Sequence, residues 1–506
     1  MPIRPGESQK PDFDGAHDAQ TRAGAESALS GAVIMALAYL AYWGFLATCL
    51  VFPVSTQEAQ GPTLTMLPAW CGMASFAVAQ LVATKTGRLV GGRRALGALA
   101  TGGALSAPLL AAMFLSAVGV QAGLGTQAVA WALWGVGQAA LFPLVGTVQS
   151  RADERLENPR ATAQLVAGSF VGVGLLCALA LFAPDPLRSA LPAVYLAATL
   201  GLLLAGRALG LARDLPQAEG LSERFQPLGS AKVLSPFVIG STFNLLTCYC
   251  IARFGMAETL GIMAVAAPLG GGALLAVVVL ARHRLVNSLI ERCYFPATAV
   301  CFFAISFLPD TWKAVPACLC AAQFFAYAAF HWTYLIGLAR RFGIQSPLHF
   351  ATGLLSPAAG MAAGWAVACL FALGGGDLNS PFVLFFGWIV AYIIVLSIAP
   401  YASDPAFEVD VLSPEEAPPD PRDRSGNSWE QACDAIAEEC RLSPREREIF
   451  ALLAHGRNVE YISTTLCISG NTAKTHKYRI YRKLDVGTHQ ELLDRVEATE
   501  RELVGR

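Results

Sequence analysis

Near the C-terminal end of the chain five basic side chains fall within ten residues: Lys474, Lys477, Arg479, Arg482 and Lys483, with no acidic residue between them. On a helix this run makes a positive stripe, the electrostatic footprint of contact with a phosphate backbone. A bare charge run is more often an ordinary solvated face, so the surrounding elements must decide. A helix that reads nucleic acid has to turn its basic face outward and its apolar face onto neighbours that fix its angle.

Those neighbours are legible. Ser443, Pro444 and Glu446 sit at the cap, first and third positions of a helix, the spacing of a capping box. Ile449, Leu452 and Leu453 form its apolar face, and Gly456 stops it. A second helix is predicted near 458–466, with Ile462 and Leu466 turned inward. Cys467-Ile468-Ser469 reads as a tight turn, with Ser469 as N-cap of a third helix near 470–484 that carries the basic stripe outside and Ile480 and Leu484 inside. A fourth helix is predicted from about Thr488 to Val496. Helix two, turn and helix three make a helix-turn-helix.

Leu442-Ser443-x-Arg445-Glu446-x-Glu448, Ala454-x-Gly456, Ile468-Ser469-x-x-Thr472, Lys474-x-His476 and Lys483-Leu484 resemble, at matching spacing, the LuxR-type helix-turn-helix family of bacterial transcription regulators. The resemblance implies that the third helix enters the major groove. Lys474, Thr475 and Tyr478 would face base edges, and Thr472, Lys477, Arg479 and Arg482 would lie near phosphates. His476 and Lys483 occupy strongly typed positions with a partly structural role. Two departures stand out. Asn458-Val459-Glu460-Tyr461-Ile462-Ser463 replaces the usual Ser-Asn-Lys-Glu-Ile-Ala, and His489 stands where a basic Arg is usual. In such proteins a homodimer pairs on a palindromic operator, and that is the expectation for the DNA partner here.

The remainder of the chain obeys a different solvent. Of 506 residues 54% are hydrophobic and only 14% charged, and mean hydropathy is +0.48. Soluble chains carry about 25% charged residues. About twelve apolar runs are long enough to cross a hydrocarbon core as helices: near 29–52, 64–84, 95–117, 126–148, 161–183, 190–211, 232–251, 258–281, 289–308, 314–338, 350–373 and 381–400. The predicted fold class is all-α, a polytopic bundle in two halves of six spans followed by a small four-helix DNA-binding domain. Residues 1–28 read as a disordered cytoplasmic tail, 29–400 as the transmembrane domain, 401–440 as a flexible Pro- and acid-rich linker with a short helix, and 441–506 as the helix-turn-helix domain.

Loop charge alternates. One set is basic: Arg88, Arg93 and Arg94; Arg151, Arg155 and Arg160; Arg207, Arg213, Arg224 and Lys232; Arg282, Arg284 and Arg292; Arg340 and Arg341. The other is nearly bare, with Arg188, Arg253 and Lys313 as lone exceptions. Basic loops stay cytoplasmic, so both termini are expected in the cytoplasm of a multi-pass inner-membrane protein in contact with lipid. The long basic loop near 212–231 divides the spans into halves. This architecture resembles the major facilitator superfamily. Lys85-Thr86-Gly87-Arg88-Leu89-Val90-Gly91-Gly92-Arg93-Arg94 keeps the Gly-Arg-Arg end of that superfamily's loop pattern and lacks its acidic residue, which counts against active transport.

The spans hold almost no ionisable groups, where coupled transporters usually bury them. His331 is the exception, and with Gln138, Asn244 and Gln323 it makes the candidate pocket for an unidentified small, neutral or apolar ligand. Helix–helix hydrogen bonding is the commoner role for such groups. Gly270-Gly271-Gly272 and the pair Gly135 and Gly137 read as close-packing positions. The 13 cysteines suggest no disulfide framework. No metal spacing, nucleophile arrangement or phosphate loop stands out, so no metal, cofactor or catalytic residue is assigned. The reading is a membrane-bound regulator that senses through its bundle and binds DNA through its tail. The alternatives are a transporter with an accessory DNA-binding tail, and a bundle that only anchors.

Overall fold

The computed structural model describes residues 13–51, 61–89, 95–120, 122–154, 156, 159–211, 230–280, 287–341, 346–376, 428–454, 456, 462 and 470–504. Two compact units divide the chain, Met1–Glu415 and Glu416–Arg506. No strand occurs among the described residues.

In the first unit the helices are α1 (Phe13–Val51), α2 (Gly61–Thr86), α3 (Ala95–Ala117), α4 (Leu124–Glu154), α5 (Pro159–Phe182), α6 (Asp185–Ala208), α7 (Ser230–Phe254), α8 (Met256–Leu280), α9 (Asn287–Phe307), α10 (Ala314–Arg341) and α11 (Pro347–Leu373). Ten helical stretches among the described residues are long and apolar enough to cross a membrane, and Cys293–Phe307 is a shorter apolar helix. The span expected at 381–400 lies outside the described residues. The helices are apolar on every face. On α8, Met263, Ala266, Ala267 and Leu274 are buried, while Val265, Leu269, Val279 and Leu280 point outward. A helix that exposes such residues needs lipid around it.

The pairing of helices repeats between the halves. α1 packs on α5 as α7 packs on α11; α2 on α4 as α8 on α10; α3 on α4 as α9 on α10. The halves meet along two seams, α2 with α11 and α5 with α8. The second helix of each half therefore meets the fifth helix of the other, as a twofold relation requires. Lipid supplies no hydrophobic drive between helices, so contact must come from close approach. A Cβ on Gly271 would stand 2.6 Å from the Ala167 carbonyl oxygen, and one on Gly364 would overlap that of Ser241. Gly270, Gly135 and Gly137 are similarly crowded, as expected, whereas Gly272 meets nothing within 4 Å.

The second unit contains α12 (Ser428–Glu439), α13 (Pro444–Ala454), α14 (Gly470–Leu484) and α15 (His489–Val504). Its core gathers Trp429, Ile436, Ile449, Phe450, Leu453, Ile462, Ile480, Leu484, Leu492 and Val496. Each such side chain, fully buried, contributes about 1.5–3 kcal/mol. The short helix expected in the linker is α12, and it belongs to this core through Trp429, Ala432 and Ile436. α15 continues eight residues past the expected end at Val496, and α12 packs against it. Of the second helix expected near 458–466 only Ile462 is described; the turn at 467–469, Ser469 included, lies outside the described residues.

Candidate functional site

α14 is oriented by its apolar side. Ala473, Ile480 and Leu484 are buried, which turns Thr472, Lys474, Thr475, Tyr478, Arg479 and Arg482 to solvent. Tyr478 is 65% exposed, unusual for a ring of its size in a folded core-forming helix. Lys477 is half-buried, its ammonium 5.1 Å from the centre of the Tyr481 ring, a cation–π contact that keeps the charge beside the exposed stripe. Among the described residues no carboxylate pairs with Lys474, Arg479 or Arg482. All the expected DNA-facing residues thus share one helix, and among the described residues its Lys474, Arg479 and Arg482 face solvent without a carboxylate partner.

Lys483, at the end of the same run, is used otherwise. Its Nζ donates to Glu446 Oε2 at 2.6 Å and to the Arg441 carbonyl at 3.1 Å. Glu446 also accepts from the Ser443 amide at 2.9 Å, and its own amide donates to Ser443 Oγ at 3.3 Å, the capping box read from the sequence. Burial pushes the Glu446 carboxyl up, but the Lys483 ammonium and the Ser443 donors outweigh it and hold the pKa at about 2. Lys483 therefore ties α14 to the start of α13. At the other end of α13, Gly456 takes φ +75°, a left-handed conformation that costs other residues more. Tyr481 Oη lies 3.3 Å from His489 Nδ1. Burial, then the Lys477 charge, hold that imidazole below its ordinary range, so the departure from Arg at this position removes a positive charge. Arg495 joins the Leu484 carbonyl to Glu439 of α12.

In the first unit an apolar cavity lies between the two halves. Tyr42 and Trp43 of α1, Phe76 of α2, Phe142 of α4, Phe243 of α7 and Phe325 of α10 form much of its wall. Of the candidate pocket residues, Gln138 and Asn244 line it. Gln323 does not; its Oε1 accepts from Thr298 at 2.9 Å and its Nε2 reaches Cys301 Sγ at 3.4 Å, bonding α10 to α9. His331 also lies elsewhere, its Nε2 3.2 Å from the Gly353 carbonyl of α11 and its ring stacked on Tyr327. The aromatic walls were not singled out in the sequence: nearly every span carries rings, α8 being the exception, and only the tertiary arrangement shows which ones converge.

Two cross-half contacts lie between this cavity and the basic-loop face. Trp332 Nε1 of α10 donates to Gln149 Oε1 of α4 at 2.8 Å, and its indole is sandwiched between Tyr39 and Phe142 at 4.8 and 4.9 Å. Further along the same helices Arg340 lies 3.4 Å from Asp153, which is 3% exposed. Sequence reading missed Asp153 because it sits among loop charges. On the opposite face the lone basic residues Arg253 and Lys313 both pair with Asp310, at 2.5 and 2.8 Å. No cluster of metal-ligating side chains occurs among the described residues.

Residues 441–496 match the family model described as bacterial regulatory proteins, luxR family. A protein of Aeromonas salmonicida carrying the name HTH-type transcriptional regulator in exeN 3'region is 37% identical over 65 residues, 13% of this chain and 33% of its own length. The chain thus spans a third of the length of that curated relative. A POT family transporter, solved with a thioalcohol-conjugated peptide, matches with a TM-score of 0.50 at 12% identity over 75% of this chain and 97% of its own. The xylose transporter XylE from E. coli gives 0.49 at 12% identity, over 75% and 98%. FucP, a Major Facilitator Superfamily transporter, gives 0.45 at 10%, over 75% and 98%. At these identities the likeness concerns the fold alone, and the POT-family match carries it. Residues 441–496 are a luxR-type helix-turn-helix DNA-binding domain, joined in this chain to a bundle of membrane-length apolar helices that shares its fold with that POT family transporter.

Proposed function

We propose that the chain is a membrane-bound one-component transcription regulator. The observation that carries the reading is the solvent-facing basic stripe of α14, in a luxR-type domain, on the same chain as a bundle of membrane-length helices. The bundle is the input: a small neutral molecule binds between its halves and shifts the balance between two packings by its differential affinity for them. The output is DNA. Lys474, Thr475 and Tyr478 read base edges, while Thr472, Lys477, Arg479 and Arg482 hold phosphates. Two copies pair on a palindromic operator. The proposed organisation keeps 29–400 in the membrane and 441–506 on DNA, with two changes to the sequence reading: α1 begins at Phe13, inside the expected tail, and α12 of the expected linker joins the C-terminal core. No catalysis is assigned.

Orientation rests on the loop charges. Arg253 and Lys313 share the single carboxylate of Asp310, so the three together carry one net positive charge and the sparse face stays poorer in positive charge than the basic loops that are kept cytoplasmic. Both termini then face the cytoplasm, where the DNA is. The transporter-like fold and its central cavity favour a second reading, a transporter with a DNA-binding tail.

The test is genome-wide DNA occupancy of the membrane-inserted full chain against a Lys474→Ala, Tyr478→Ala double variant. Discrete peaks lost in the variant are expected. Peaks that persist in the variant, or none in either protein at full expression, would overturn the regulator reading. Uptake into proteoliposomes would then favour transport.

A further inference from the structure

Resting on the reading of α14 as the helix that contacts DNA, we infer that Tyr481 and His489 are positioning residues for that contact. His489 fixes the Tyr481 ring, and the ring holds the Lys477 ammonium at the rim of the basic stripe, where it meets a phosphate.

Lys477 and Tyr481 are four residues apart on α14, a spacing that puts both side chains on one face. Both are half-buried, as is His489. The Lys477 ammonium stands 5.1 Å from the centre of the Tyr481 ring, and among the described residues no carboxylate pairs with it. A lysine free in water samples many rotamers and loses that freedom when a phosphate captures it. A ring that already holds the ammonium removes part of the loss before DNA arrives. The ammonium has three N–H donors, so one that rests on a ring face keeps donors for a phosphate oxygen.

The ring is held at both ends of its residue. The Tyr481 carbonyl accepts from the Val486 amide at 3.0 Å, which closes α14 around Asp485, at a left-handed φ of +54°. The chain turns back there and starts α15 beside the last turn of α14. Thr488 Oγ1 accepts from the Glu491 amide at 3.2 Å, and the Glu491 carboxylate accepts from the Gly487 amide at 2.7 Å, so the first turn of α15 is fixed. His489 is the first residue of that helix. Its Nδ1 lies 3.3 Å from Tyr481 Oη, while the body of the ring packs on the core. Burial, then the Lys477 charge, oppose protonation of the imidazole, so a neutral group supports the ring without repelling the ammonium.

The test uses the full chain in nanodiscs of phosphatidylcholine, whose headgroups carry no net charge. The probe is a fluorescent duplex of mixed sequence, about 30 base pairs long, because phosphate contacts are common to all sequences. Lys477→Ala is expected to weaken binding about eightfold at about 0.1 M salt, the loss of one phosphate contact. Tyr481→Leu and His489→Leu should each weaken it about threefold to fivefold in the otherwise unmodified chain, and not at all on the Lys477→Ala background. Tyr481→Phe, which keeps the ring and loses the hydroxyl, should match His489→Leu. His489→Asn, which keeps a hydrogen-bonding group where Nδ1 lies, should restore most of the loss. Losses from Tyr481→Leu and His489→Leu that persist in full on the Lys477→Ala background would show a structural role only and overturn the assignment, as would no loss from either. Should Tyr481→Leu fail to fold, Tyr481→Phe and His489→Leu still decide. Binding without coupling to Lys477 sinks this assignment and leaves the DNA reading standing; no binding of the duplex by the unmodified chain overturns both.

Discussion

On α8 Val265, Leu269 and Leu280 face outward, while Gln138 and Asn244 of neighbouring helices are buried without exposed surface to speak of. On α14 the arrangement is inverted: Lys474, Arg479 and Arg482 face outward, and Ile480 and Leu484 are buried. Both units are helical, and both bury what their surroundings would reject. In water that leaves charge on the surface, ready for an anionic partner. In lipid it leaves polar groups inside, where they bond one helix to the next. The functional groups of the two units are therefore found in opposite places for one physical reason.

The comparison can be broken or sharpened by substitution. The largest effect is expected at the water-facing surface. Arg479→Ala with Arg482→Ala should weaken DNA binding about 100-fold at moderate salt and lower the slope of log affinity against log salt by about two, one per phosphate contact. An unchanged slope in a salt titration of the full chain would place these residues away from the backbone. Next comes the lipid-facing unit, where close approach substitutes for hydrophobic drive. Gly364→Leu puts side-chain atoms against the Ser241 carbonyl and should cost about 1–3 kcal/mol or more, since overpacking forces backbone shifts; a thermal melt in detergent that leaves Tm unmoved would contradict the tight α7–α11 seam.

A smaller effect is expected where a charge has been withdrawn from the surface. Lys483→Ala should destabilise the C-terminal unit by about 1–2 kcal/mol, less than a fully buried pair because the ammonium is partly exposed. The same link predicts a pH response. The Glu446 carboxyl falls from 4.5 to about 2 on folding, so its contribution is present above pH 4.5 and is lost as pH drops from there through about 2. Hydrogen exchange of α13 and α14 peptides should accelerate across that window, and Glu446→Gln should abolish the window. The smallest effect is Gln323→Leu, which removes an interhelical hydrogen bond in the bundle and should cost about 0.6 kcal/mol; a loss several times larger would mark Gln323 as more than a link between α9 and α10.

Legibility divided along the same line. The helix-turn-helix frame could be read because its determinants are local: Ser443 and Glu446 are three residues apart, Gly456 terminates one helix, and Ile480 and Leu484 share one face of another. The extension of α15 could not, because the apolar repeat ends at Val496. The helix also packs on α12, more than 50 residues earlier in the chain, a contact no local repeat records. In the bundle the count of spans and the sign of the loops are local properties, and eleven of the predicted runs coincide with described helices. Which polar residues face the cavity is a matter of rotation and of seams between distant helices. Gln138 and Asn244 differ from Gln323 and His331 only in what lies across from them, and no spacing in the sequence records that.

One consequence attaches to the Trp332–Gln149 and Arg340–Asp153 contacts. In the proposed orientation they stand between the cavity and the cytoplasm, and we propose that they hold that side shut, so that the cavity would be reached from outside. A molecule that occupied it would not yet have entered the cell. Its concentration there is set by what the surroundings deliver. Cells wired this way would adjust transcription to arrivals rather than to stocks, and consumption of the compound inside would not mute the signal that announces it.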